Sequence, residues 1–261
     1  MNNIHRVTYA LAALVFVTAV FSIATRGNGN NPTAPPQAVG GQQSQTTEMQ
    51  RHLAANKAYP IVDYDEAEPS DPSMRASRSA KQKRYNNFGM VMKTPHPDDA
   101  EISFIAEGAF DFQGLPVDKS EVIVVGDVIT GEAHLSENKR NIFSEFTVKI
   151  STVLKTLTPT GPTPDSQITI ERVGGYVRYP NRQTVLYRGA GYGMPRVGGR
   201  YVFFLRPIAQ SNDYSVLTGY ELGEKGIEPL DFSAQFEAFR GFDVPTFMST
   251  LDEVLSKSSP R

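Results

Sequence analysis

Two segments of this chain are apolar on consecutive positions rather than alternate ones, and nothing else restricts the fold as much. They are Glu121-Val122-Ile123-Val124-Val125-Gly126-Asp127-Val128-Ile129 and Tyr201-Val202-Phe203-Phe204-Leu205. Both are rich in β-branched and aromatic residues, so each reads as a strand buried on both faces for part of its length. Around them the period is two. Phe146, Val148 and Ile150 alternate with Thr147, Lys149 and Ser151, and Tyr214, Val216 and Thr218 repeat the pattern. Ile168-Thr169-Ile170 is shorter. Val177–Tyr179 and Thr184–Tyr187 flank the turn residues Pro180-Asn181-Arg182 and predict a hairpin.

The period changes after Asp243. That residue is placed to cap a helix, Pro245 suits its first turn, and Phe247, Leu251, Val254 and Leu255 fall on one helical face. Short strands between Gly/Pro turns, with one helix added, predict a mainly β domain over residues 99–261. A small Greek-key barrel of about five to seven strands is the first choice.

Residues 26–98 have the composition of a flexible linker. Gly27-Asn28-Gly29-Asn30-Asn31-Pro32, Pro35-Pro36 and Gly40-Gly41-Gln42-Gln43 offer too little apolar surface to offset ordering entropy. Met49 and Leu53 allow at most a marginal helix over Thr46–Ala58. An acidic block (Asp63, Asp65, Glu66, Glu68, Asp71) then precedes a basic one (Arg75, Arg78, Lys81, Lys83, Arg84), both expected to stay solvated or to dock a partner.

At the N-terminus, Val7–Thr25 is a run of 19 residues without a charge, behind only His5 and Arg6. As a helix it would span roughly 28 Å, close to the hydrocarbon thickness of a bilayer. Residues 1–25 are therefore expected to be a signal peptide or a transmembrane anchor. Ser22-Ile23-Ala24 offers a small-x-small cleavage site after Ala24. Export places the domain outside the cytoplasmic membrane, or releases it if the segment is cleaved. The chain has no Cys. Thiolate zinc sites, cysteine nucleophiles and lipid attachment through cysteine are thereby excluded, and a cysteine-free exported domain of this size reads as bacterial. The net charge of -2 predicts no global affinity for polyanions.

Several stretches carry a resemblance. Ser120–Val128, Phe143–Ile150 leading to Val153-Leu154-Lys155, Gly198–Leu205 and Leu217–Leu222 together resemble a group of uncharacterised bacterial exported β-barrel proteins over roughly residues 100–232. More distantly, the rhythm of Val125-Gly126-Asp127-Val128, Val153-Leu154-Lys155 and Gly198-Gly199-Arg200-Tyr201 is similar to netrin-like OB-fold modules, the fold of tissue metalloproteinase inhibitors. The resemblance implies an OB-like barrel. Those inhibitors reach the protease metal through an N-terminal cysteine, which this chain lacks, so their activity is not implied.

Three constellations bear on chemistry. Pro95-His96-Pro97-Asp98-Asp99 resembles the motif of zinc-dependent sugar deacetylases of the LmbE type, which implies a metal-assisted hydrolase with His96, Asp98 and Asp99 at the metal. The family's following Glu is replaced here by Ala100, and the surroundings are β-rich rather than α/β. A domain-leading turn is the competing reading. His134, the only downstream histidine, reads as a surface residue, and Gly189-Ala190-Gly191-Tyr192-Gly193 as a mobile hairpin loop without a phosphate-binding helix.

The third is a strip of arginine and tyrosine. Residues 172–212 hold no Asp, Glu or Lys, but seven arginines (Arg172, Arg178, Arg182, Arg188, Arg196, Arg200, Arg206) among Tyr176, Tyr179, Tyr187, Tyr192 and Tyr201. Guanidinium groups pair bidentately with anions and stack on rings. Arg178, Arg182, Arg188, Tyr192, Arg196 and Arg200 are therefore candidate ligand-binding residues for an envelope protein or an anionic envelope polymer. Nucleic acid is not expected outside the cytoplasm. The alternative is pairing with Glu221, Glu224, Glu228 and Asp231. A non-catalytic binding or structural role without a cofactor is the expected function.

Overall fold

The computed structural model describes residues 59–88, 102–107, 112 and 114–258. In chain order the first elements are β1 (Ile61–Asp63), α1 (Pro72–Arg84), β2 (Ile102–Glu107), β3 (Val122–Leu135), β4 (Ile142–Thr156), β5 (Gln167–Val173) and β6 (Gly175–Arg178). Then come β7 (Thr184–Ala190), β8 (Arg200–Pro207), β9 (Tyr214–Gly223), β10 (Gly226–Pro229), α2 (Ala234–Glu237) and α3 (Val244–Ser258).

The expected barrel-like β architecture with a C-terminal helix is present. β3 pairs antiparallel with β4 and with β8. β4 pairs antiparallel with β5, and β8 with β9. The ring is completed by a parallel contact, Ile170 opposite Tyr214 and Glu171 opposite Ser215, between β5 and β9. The circuit β3-β4-β5-β9-β8 thus returns to β3, and closure removes the edges that an open sheet would expose. β10 adds outside β9.

Closure explains the two doubly apolar strands. Val122 and Val124 point inward with Val148, Ile150, Phe203 and Leu205. Their neighbours Ile123, Val125, Val202 and Phe204 point outward, where Phe236 of α2 and Phe247 and Leu251 of α3 cover them. α3 starts where the sequence places it. The Thr246 amide donates to Asp243 Oδ1 at 2.9 Å, and only Phe247 and Leu251 are fully enclosed.

A second sheet has the order β1-β6-β7-β2. Its centre is the expected hairpin, turning through Asn181 and Arg182, but its two outer strands run parallel to their neighbours and were not expected. Val62, Val177, Tyr179, Val185 and Tyr187 pack this sheet against Leu135, Ile142 and Phe143, where β3 and β4 extend past the barrel. That extension corrects one reading: His134 is on β3 and only 6% exposed, not a surface loop residue.

A second correction concerns the linker over residues 26–98. Residues 59–88 of it are ordered onto the domain, which therefore extends N-terminally past Asp99 to at least Tyr59. The charge blocks that suggested a solvated tether do the ordering. Asp71 caps α1 by accepting the Ser73 and Met74 amides at 2.8 and 3.0 Å, and Pro72 occupies the first turn. Arg178 Nε donates to Asp63 of β1 at 2.5 Å, and Lys81 and Arg84 pair with barrel carboxylates. The possible helix over Thr46–Ala58 lies outside the described residues, as does Val7–Thr25. Among the described residues no helix is long and apolar enough to cross a membrane.

Candidate ligand cleft

The hairpin β6–β7 comes away from the ring between β5 and β8, and a cavity of about 350 Å³ opens where it faces β9 and β10. Tyr59, Tyr176, Arg188, Tyr201, Glu221 and Phe232 are among the residues that line it. Chain geometry sets these positions. Tyr176 and Arg188 sit on β6 and β7, Tyr201 is the second residue of β8, and Glu221 lies directly opposite Tyr201 in the β8–β9 register.

Most of the cleft's polar groups are fixed. Tyr201 donates its hydroxyl to Glu221 Oε2 at 3.0 Å and accepts the Arg196 amide at 3.0 Å. Burial, with Glu221 adding to it, pushes the Tyr201 hydroxyl pKa well up, so the phenol stays protonated. Arg196 pairs with the other oxygen of Glu221, and that hydrogen bond raises its pKa further. Glu228, also on the cleft wall, pairs with Arg240. The Arg188 guanidinium lies 4.6 Å over the Phe232 ring, and Tyr59 and Tyr176 approach at 6.0 Å between centroids. The cleft is thus walled by aromatic rings, with one cation over a ring and two carboxylates neutralised by arginines.

Behind it is a buried polar centre. Asp231 is fully enclosed and receives Arg172, the Thr218 hydroxyl at 2.7 Å and the Gly193 amide at 2.9 Å. A Cβ on Gly193 would lie 1.6 Å from the Leu230 carbonyl oxygen, so only glycine fits. The Phe232 amide also donates to the Gly191 carbonyl at 2.8 Å. The 189–193 loop is therefore pinned to the barrel, where the sequence suggested a mobile one.

The structure separates the six candidate ligand residues. Arg188 lines the cleft. Arg196 borders it through Glu221. Tyr192 lies under the Arg172 guanidinium at 5.1 Å, on another side of the buried centre. Arg178 pairs with Asp63, and Arg200 with Asp127 and Ser151. Arg182 is exposed at the hairpin tip with φ 68°. Much of the positive strip is thus matched by carboxylates, two of them among those the sequence offered as partners, Glu221 and Asp231. Tyr59, Glu228 and Phe232 were not foreseen as cleft residues. The consecutive β-branched residues Ile61 and Val62, two positions past Tyr59, were the one local hint of a strand there. His96, Asp98 and Asp99 lie outside the described residues. His134, the only histidine downstream of that motif, faces Glu145 through Nε2 at 3.4 Å. No protein-family model matches this chain, and no curated protein matches it.

Proposed function

We propose that this chain is an exported, non-catalytic binding module of the bacterial cell envelope, built on an OB-like barrel. It is held at the cytoplasmic membrane by residues 7–25, or released from it by cleavage after Ala24. The OB-like assignment is supported by the ring order: numbered as barrel strands one to five, the order is 1-2-3-5-4 and back to 1, with strands three and five parallel. Modules of this architecture bind extended polymers across their surfaces.

The observation that carries the binding reading is the aromatic cleft. Its two carboxylates are each neutralised by an arginine, so neither is poised as a base or nucleophile. Tyr59, Tyr176, Tyr201 and Phe232 instead offer flat faces, and Arg188 a cationic edge, for a small polar ligand unit. Local pairing of Arg178, Arg196 and Arg200 favours an envelope component recognised by stacking and hydrogen bonds over a densely anionic polymer.

The chain has no Trp, and three of its 11 tyrosines line this cleft, so tyrosine fluorescence carries a signal from it. Solubilised envelope fragments titrated against the purified chain are expected to give a saturable change. Arg188→Ala should weaken binding roughly tenfold, the loss of about 1.4 kcal/mol expected for a desolvated cation–aromatic contact with its hydrogen bonds. No saturable response, or full retention in the variant, would count against the cleft. Recovery of the native protein in the soluble cytoplasm would count against export.

A further inference from the structure

The barrel has a second face, opposite in character to the cleft and filled by the chain itself. Glu145 on β4, Glu171 on β5 and Asp213 just before β9 bring carboxylate oxygens within 4.8 Å of one another. The cation they require comes from α1. The Lys81 ammonium lies 2.5 Å from Glu145, 3.0 Å from Asp213 and 3.9 Å from Glu171. Arg84 reaches the fully buried Glu171 at 2.5 Å, and the Tyr85 hydroxyl donates to its other oxygen at 2.6 Å. The Tyr85 ring stacks on Phe143 with centroids 4.1 Å apart and planes within 9°. Asn86 completes the contact with the loop between β3 and β4, donating to Glu137 and accepting the Asn138 amide, both at 3.0 Å.

Two observations mark this joint as exchangeable rather than as part of the core. First, α1 buries none of its own side chains. Tyr85, just past its end, is the one enclosed anchor, so nearly all of the docking is charge pairing, which salt screens and which contributes little apolar burial. A fold needing only a permanent cover gains more from apolar packing than from a carboxylate trio that must be neutralised. Second, the occupied surface lies across barrel strands two and three, beside the loops joining strands one and two and strands four and five. That is the surface on which OB-type barrels take their ligands.

We propose that this acidic face is a docking groove for a cationic helical segment of a partner protein, and that α1 is its resident occupant in cis. The pattern Lys81-x-x-Arg84-Tyr85 defines what the groove accepts: two cations one turn apart for the carboxylates, and an adjacent ring for Phe143. A partner segment with the same spacing takes the place of α1 once α1 lifts off. The covalently linked occupant competes at an effective concentration in the millimolar range, which keeps the groove closed to weak ligands.

A fluorescent peptide spanning residues 72–88 of this chain is a suitable probe, titrated by anisotropy against the full-length protein. Lys81→Glu/Arg84→Glu repels α1 from the groove, and Lys81→Ala/Arg84→Ala is a milder opening that serves if the first variant does not fold. The peptide should bind the opened chain at least about tenfold more tightly than wild type, because the cis competitor is gone. Binding should weaken at least about tenfold between about 0.05 and 0.5 M salt. Adding Glu171→Gln to the opened chain should remove at least about tenfold again by taking away the carboxylate charge. The proposal is overturned if folded opened chains bind no peptide, if wild type binds equally well, or if salt or Glu171→Gln has no effect.

Discussion

At the scale of single residues, the arginines show how little charge alone says about energetic weight. Arg172–Asp231 and Arg240–Glu228 are both direct ion pairs, yet their surroundings differ completely. The first pair is enclosed, at 3% and 0% side-chain exposure; the second is solvated at 40% and 53%. Breaking a buried pair leaves an uncompensated charge out of water and costs about 3–5 kcal/mol, whereas an exposed pair contributes about 1 kcal/mol or less. Asp231→Ala is therefore expected to lower Tm by roughly 6–20 °C for a domain of this size, and Glu228→Ala by only about 2–4 °C at most. Asp231 also holds Thr218 and the Gly193 amide, which pushes its cost toward the upper end. Comparable thermal shifts for the two variants would contradict this ranking. The sequence offered both carboxylates as arginine partners; which of them lies in the interior depends on β9, β10 and the residues just after them folding under the 189–193 loop, a long-range outcome with no local signature.

At the scale of elements, legibility follows the source of the stabilisation. β3, β4, β8, β9 and α3 were visible because apolar side chains recur at the period of the element that buries them. β1 and α1 were not, because α1 is polar all round and acquires its place from charges supplied by distant strands. That dependence predicts a pH response. Burial alone pulls the Lys81 pKa down, but hydrogen bonds to Glu145 and Asp213 outweigh it and leave it raised. Its contribution is thus complete below the unfolded value of 10.5 and fades as pH rises through the folded one. Burial pushes Glu145 up, but His134 and Lys81 outweigh it and leave it lowered, so its share is present above 4.5 and is lost as pH falls through the folded value. Glu171 opposes them: burial leaves its pKa raised, so ionising it costs stability above 4.5. Docking of α1 should hold at neutral pH and weaken as pH rises through the raised value of Lys81 or falls through the lowered value of Glu145. Trypsin cleavage at Arg75 and Arg78, measured across pH with a reference peptide correcting for the protease, is the check. A flat corrected rate would contradict the ionic account.

At the scale of the whole molecule, two kinds of stability are joined in one fold. Barrel strands bury both faces, because Val122 and Val124 enter the interior while Ile123 and Val125 meet α3. Closure also couples them, since β3 cannot leave without breaking two ladders, one with β4 and one with β8. The barrel's closure could be anticipated from doubly buried strands, but the sheet that hosts the cleft could not. Its outer strands are contributed by residues 61–63 and 102–107, which flank the charged helix and carry no strong pattern of their own. Amide hydrogen exchange should read this division directly. Amides at the centre of β3, β4 and β8 are expected to exchange only through global opening, with a free energy equal to that measured by denaturant. Amides of α1 should exchange through a separate opening that costs several kcal/mol less, because releasing α1 exposes little apolar surface apart from Tyr85. Raising salt should speed exchange in α1 and leave the β3 amides unchanged, since only the α1 joint is held mainly by charge. Equal protection of α1 and β3, or loss of both together as salt rises, would mean that the helix belongs to the cooperative core and is not a detachable cover.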